Sequence, residues 1–207
     1  MLDQGKLDDS YGQFTEALKI APNDPEALDG QKRVVLTKNY ATMEANWGKD
    51  DEALKWLESA ADASSARDTR ANFALVAWHL RKGQPSRAVD AAKALLSKLP
   101  EDVEALQAYA GAQAANGDTA GAKSTLTNAA RRAAFDAPRL LEVARQQVGI
   151  KDFAGASYSL DKALSGNPDF MPAQAMLSSI DLVQGDAAKA EQRAIPVIQA
   201  ARKSAIG

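Results

Sequence analysis

The chain has no cysteine, a single histidine and only 6% aromatic residues. Without cysteine there can be no disulfide scaffold, thiolate zinc site, iron–sulfur cluster or cysteine nucleophile. His79 alone excludes multi-histidine metal sites, and any Ser-His-Asp triad would have to use it. No run approaches the roughly 18 apolar residues that a membrane-crossing helix needs. Neither sign of charge dominates: 25 Lys and Arg stand against 27 Asp and Glu, for a net charge of -2. That balance argues against a dedicated nucleic-acid binder. Residues 1–60 carry 7 basic and 12 acidic side chains, and residues 61–207 carry 18 and 15, a gradient too shallow to name a partner. No phosphate-binding loop, dinucleotide fingerprint or nucleophile elbow occurs. Met1 is followed by neither a basic stretch nor an apolar one, so no signal peptide is expected there.

What the chain has in excess is alanine, 43 of its 207 residues. Alanine is the best helix former and leaves little side chain to bury, so such a chain packs by close helix approach. It also repeats. Gly83, Gly117 and Gly185 fall on one frame of 34 residues, with Lys151 in the place between the last two. Five positions after each comes a small residue: Ala88, Ala122, Ala156 and Ala190. Four further on sit Ala92, Leu126, Leu160 and Ala194, and three beyond those Leu95, Ala129, Ala163 and Val197. The frame extends backwards to Gly48-Ala53-Leu57-Ala60 and Gly5-Ser10-Phe14-Ala17, and Pro22, Pro100 and Pro168 close three of the units.

Each unit reads as two helices. In residues 103–136, Val103, Leu106, Ala110 and Gln113 step at helical spacing until Asn116-Gly117-Asp118 interrupts. A glycine ending one helix and an aspartate capping the next make a tight turn. The turns at 82–85 and 184–186 agree, with Pro85 suited to a first helical turn. No segment alternates with period 2, so no strand is expected. The units run 1–24 (partial), 25–68, 69–102, 103–136, 137–170 and 171–207, about five and a half repeats in a single array. Gly5 to Gly48 is nine residues too long. Leu28, Val35, Leu36, Tyr40, Met43 and Trp47 keep helical phase there, which predicts one first helix of about 20 residues, about 30 Å, projecting beyond its neighbours. The incomplete first unit and the absence of a polar cap after 207 read as a segment of a longer array.

The period and spacing resemble the tetratricopeptide repeat (TPR), whose pattern is W-x2-L-G-x2-Y, then A-x3-F, then P. The second half is well kept. The first is degenerate: Leu75 and Leu177 match its leucine, while Tyr109 and Val143 replace it. The resemblance covers nearly the whole chain and implies an all-α, right-handed solenoid of antiparallel helix pairs. A narrower likeness lies in 151–164 (KDFAGASYSLDKAL), 167–173 (NPDFMPA), 181–186 (DLVQGD), 81–95 (RKGQPSRAVDAAKAL) and 99–102 (LPED). These stretches resemble the long TPR lipoproteins of the PEP-CTERM/exosortase system. That likeness implies an envelope protein on the periplasmic side, serving exopolysaccharide assembly, export or surface-protein sorting, with polysaccharide-export machinery as a partner.

Candidate chemistry is sparse, and no catalytic, metal or cofactor site is expected. His79 has no second ligand and reads as a packing or partner-contact residue. Asp8-Asp9 and Asp50-Asp51-Glu52 read as openings of second helices, where carboxylates favour the positive end of the helix dipole. Arg131-Arg132 and Arg202-Lys203 read as helix ends. The TPR resemblance implies a concave face lined by first helices through frame positions 2, 5, 6, 9, 12 and 13. Those positions yield Arg70, Phe73, Ala77, Arg81, Gln107, Leu141, Arg145, Met176 and Ser179 as partner-binding residues. Such a groove suits an extended peptide or a partner helix with acidic groups. A chaperone clamp needs lysines and asparagines on three consecutive first helices, and only Asn39 and Arg70 fall near it. The alternatives are a cytoplasmic TPR adaptor or co-chaperone and a carbohydrate-binding TPR module, the latter needing aromatic platforms for which Phe73 is the candidate.

Overall fold

The computed structural model describes residues 4–21, 24, 26, 27, 30 and 50–204. The expected long first helix, Asn39 and Trp47 lie outside the described residues. Among the described residues there are ten helices and no strand. They fall in two compact units, residues 1–99 and 100–207. The first holds α1 (Gln4–Ile20), α2 (Asp50–Ala63), α3 (Arg70–Arg81) and α4 (Pro85–Lys98). The second holds α5 (Val103–Ala115), α6 (Thr119–Arg132), α7 (Ala137–Gly149), α8 (Phe153–Gly166), α9 (Met171–Val183) and α10 (Ala187–Ser204).

The helix pairs are made by one recurring turn. Gly83, Gly117 and Gly185 take positive φ of 65°, 84° and 85°, and Lys151 takes 61° at the same frame position. In each case the next residue's N–H reaches back five residues: Gln84 to His79 O, Asp118 to Gln113 O, Asp152 to Gln147 O and Asp186 to Asp181 O, at 2.8–2.9 Å. The left-handed residue itself bonds three back, as Gly117 does to Ala114 O at 3.1 Å. These two bonds close the last turn of the first helix as a Schellman motif. Asp118, Asp152 and Asp186 then cap the second helix, accepting from Gly121, Gly155 and Lys189 N–H at 2.8, 3.2 and 3.0 Å. One aspartate therefore ends one helix and starts the next.

Behind the turn the stripe of small residues is buried. Ala88, Ala92, Ala122, Ala129, Ala156, Ala163 and Ala190 are all closed from solvent, with Leu95, Leu126 and Leu160 filling the spaces between. Alanine there admits the neighbouring helix, and a longer side chain would overpack the crossing. Within the second unit α5 packs on α6, α7 on α8 and α9 on α10, while α6 meets α7 and α8 meets α9. The first helices α5, α7 and α9 also touch in succession. Within the first unit α2 packs on α3 and α3 on α4.

The four pairs within a repeat, α3–α4, α5–α6, α7–α8 and α9–α10, each carry a polar bridge at the same frame position. Gln113 accepts from Thr125 Oγ1 at 2.7 Å and donates to Asp118 Oδ2 at 3.1 Å. Gln147 accepts from Ser159 Oγ at 2.7 Å. In the last pair Asp181 replaces the glutamine, with Arg193 Nε at 3.0 Å and Lys189 Nζ at 3.3 Å. His79 holds this place in the first unit. It is buried, with Nδ1 2.9 Å from Gln84 Oε1, so the lone histidine is a bridge in the packing.

Lysines close helix ends elsewhere. Lys98 Nζ bonds Ala61 O, Ser64 O and Ser64 Oγ at 2.7, 3.1 and 2.7 Å, at the end of α2. Burial pulls its pKa below the usual lysine value, opposed by the charge of Asp62. Lys162 Nζ bonds Ala130 O at 2.9 Å at the end of α6.

Two local expectations are corrected. The described part of α1 is helical from Gln4 onward, so Gly5 lies inside it rather than at a turn, and Asp8-Asp9 do not open a helix.

Candidate functional site

Chemistry needs convergent polar groups, and the polar side chains here converge on one another across helix pairs. Among the described residues no group of three or more His, Asp or Glu stands where it could hold a metal ion. No described helix is long and apolar enough to cross a membrane. What the second unit does offer is a cleft of about 440 Å³ between the first helices α7 and α9, floored by the start of α8. Its lining is Arg145 and Val148 from α7, Phe153 from α8, and Pro172, Ala175, Met176, Ser179, Ile180 and Val183 from α9.

The cleft exists because α9 turns small residues toward α7. Ala175 is exposed, and Ser179 spends its hydroxyl on Ala175 O at 3.0 Å. Neither fills the space that a larger residue would close. Pro172 in the first turn of α9 has no N–H to satisfy there and adds an apolar edge. Val183 is 67% exposed and Leu182 beside it 60%, so the rim stays apolar at the end of the helix. Arg145 is the one ionisable group on this lining. Its Nε lies 3.2 Å from Glu142 Oε1 one turn back, and both side chains are more than half exposed, at 56% and 60%.

Three of the residues expected from the sequence, Arg145, Met176 and Ser179, meet in this cleft. Leu141 does not: it is 6% exposed and packs in the interior. Gln107 is half-buried on α5, away from the lining. Arg70, Phe73, Ala77 and Arg81 all stand on α3 in the first unit. Arg70 is exposed and paired with Asp68, its Nε and Nη2 at 2.9 and 2.8 Å from the carboxylate. Phe73 is half-buried and Ala77 exposed, and the guanidinium of Arg81 lies 5.9 Å from the centroid of the buried Trp78 ring. Val148, Phe153, Pro172, Ala175, Ile180 and Val183 were not singled out from the sequence. Four of them occupy frame positions 12, 2, 5 and 13, so the frame held the signal. Phe153 and Ile180 lie off it.

The sequence matches no established family profile and no curated protein. The fold does have solved counterparts. A MamA chain from Desulfovibrio magneticus RS-1 superposes with a TM-score of 0.58 at 16% identity, over 82% of this chain and 96% of that one. TTC0263, a thermophilic TPR protein of Thermus thermophilus, gives 0.52 at 21% identity, over 81% and 90%. PilF of Pseudomonas aeruginosa gives 0.56 at 17% identity, over 83% and 77%. The fold is that of the TPR solenoid. At these identities the likeness speaks for the TPR architecture alone, and it agrees with the helix pairs and Schellman turns above.

Proposed function

We propose that the chain is a non-enzymatic protein-interaction scaffold that takes an extended peptide or partner helix on its first helices. The observation that carries this reading is the open, largely apolar cleft between α7 and α9, with a single arginine at its edge. Ligand sites are concave and mostly apolar, with a few placed polar groups. TPR-fold relatives support a binding role in kind. The finer context, exopolysaccharide assembly or export on the periplasmic side of an envelope, rests on the sequence resemblance carried by 151–164, 167–173 and 181–186.

The test is capture from an envelope extract by the full chain and two variants, run beside a glycan array. Ala175→Trp fills the cleft from an exposed position, and Tyr158→Ala removes an exposed aromatic on the second helix α8. The expected outcome is loss of the captured protein with Ala175→Trp and its retention with Tyr158→Ala. The reverse pattern, or glycan binding that Ala175→Trp leaves intact, overturns the assignment of the binding surface. Fractionation of cells expressing the full-length gene tests the envelope context, and recovery in the cytoplasm alone contradicts it.

A further inference from the structure

The two walls of the cleft differ in chemistry, and the difference bears on what fits between them. The α9 wall is Pro172, Ala175, Met176, Ser179, Ile180 and Val183, with no charge. The α7 wall supplies Arg145, and Glu142 stands one turn from it at 3.2 Å. An exposed pair of this kind contributes little to stability, about 0.2–1 kcal/mol at most. Arg145 can therefore exchange Glu142 for a ligand carboxylate at small cost. Glu142 stays beside it after the exchange, and a second carboxylate brought to the same place would meet its charge.

We infer that the cleft recognises a peptide segment that seats one large apolar side chain against Met176 and Ile180 and sets a single carboxylate on Arg145, and that Glu142 discriminates against segments with a run of acidic residues. This rests on reading the α7–α9 cleft as the partner site. The occupant follows from charge and shape. A neutral apolar wall takes an aliphatic or aromatic side chain, and one cation beside one anion takes one carboxylate and disfavours several. The cleft volume of about 440 Å³ admits such a side chain with part of its backbone.

The experiment uses the full chain and an array of synthetic dodecapeptides with a central leucine or phenylalanine and randomised neutral flanks. Three matched sets carry no aspartate, one aspartate or three consecutive aspartates. Binding is read for the unmodified chain and for Arg145→Glu, Glu142→Gln and Ala175→Trp. The unmodified chain should favour the one-aspartate set. Arg145→Glu should weaken that set about fivefold, and Glu142→Gln should raise the three-aspartate set by about threefold, a few-fold effect being typical of exposed charges. Ala175→Trp should abolish binding of every set. If Ala175→Trp abolishes binding but the sets do not differ, or Arg145→Glu and Glu142→Gln change nothing, the charge inference fails and the cleft reading stands. If binding survives Ala175→Trp, or no set binds at all, the cleft reading fails and the inference with it. Circular dichroism of each variant verifies the fold, which these exposed substitutions should leave intact.

Discussion

Residues 137–170 and 171–207 are two successive turns of one pattern, and they put it to different uses. At frame positions 5, 6 and 9 helix α7 carries Leu141, Glu142 and Arg145, whereas α9 carries Ala175, Met176 and Ser179. The first set gives a buried leucine and an exposed ion pair. The second leaves space, and that space is the cleft. The turns differ as well, with Lys151 at φ 61° against Gly185 at 85°. So do the bridges, with Gln147 and Ser159 in one repeat and Asp181 with Arg193 in the other. A solenoid can thus keep its backbone geometry while the first-helix surface is set position by position. The binding surface arises where the pattern is filled least.

The two repeats should differ most in stability at position 5. Leu141→Ala should cost about 2–5 kcal/mol, as for a buried leucine that leaves a cavity. Ala175→Leu, its counterpart, should change stability by less than about 1 kcal/mol because the site is exposed and open. Urea denaturation of both variants measures the contrast, and equal effects would mean that the two positions are not in different environments.

A second test exchanges the bridges. Asp181→Gln removes a buried charge that Lys189 and Arg193 face, leaving both cations without it. Because Lys189 and Arg193 retain some solvent, the loss should be about 1–2 kcal/mol rather than the larger cost of a fully buried pair. Adding Arg193→Ser rebuilds the neutral bridge of the preceding repeat, and it should recover about half of that loss or more. A double variant no better than Asp181→Gln alone would show that the bridge is not interchangeable between repeats.

The smallest effect lies in the turn. Lys151 sits in the left-handed region where its three frame counterparts are glycine. Lys151→Gly removes the strain of a side chain there and adds backbone freedom to the unfolded chain, for a net gain of about 0.5–1 kcal/mol. A rise in Tm of a few degrees is the expected reading. The opposite change, Gly185→Lys, should lower it by a similar amount.

These particulars also mark what the sequence made legible. The 34-residue frame announced the turns because the left-handed residue and the capping aspartate are local chemistry, readable at Gly117-Asp118 and Gly185-Asp186 without neighbours. The buried stripe was legible for the same reason, since small residues at fixed spacing mark a close crossing. The cleft was only half legible. Arg145, Met176 and Ser179 follow from the frame, yet the space between them depends on what Ala175 lacks, and an empty volume belongs to no single residue. Leu141 shows the converse: it holds a surface position in the frame, but a leucine gains by turning inward, and it is buried. Phe153 opens α8, off the first-helix frame, so no reading of first helices alone would have reached it.

If this chain binds its partner in the α7–α9 cleft, the methyl groups that line it must respond to a ligand. Methyl NMR on the full chain, titrated with the one-aspartate leucine peptides, tests it most directly. Shifts should concentrate on the methyl groups of Met176, Ile180, Val148 and Val183, with the exposed Ile195 and Ile198 of α10 unmoved. Shifts confined to Ile195 and Ile198, with the cleft methyls silent, would contradict it.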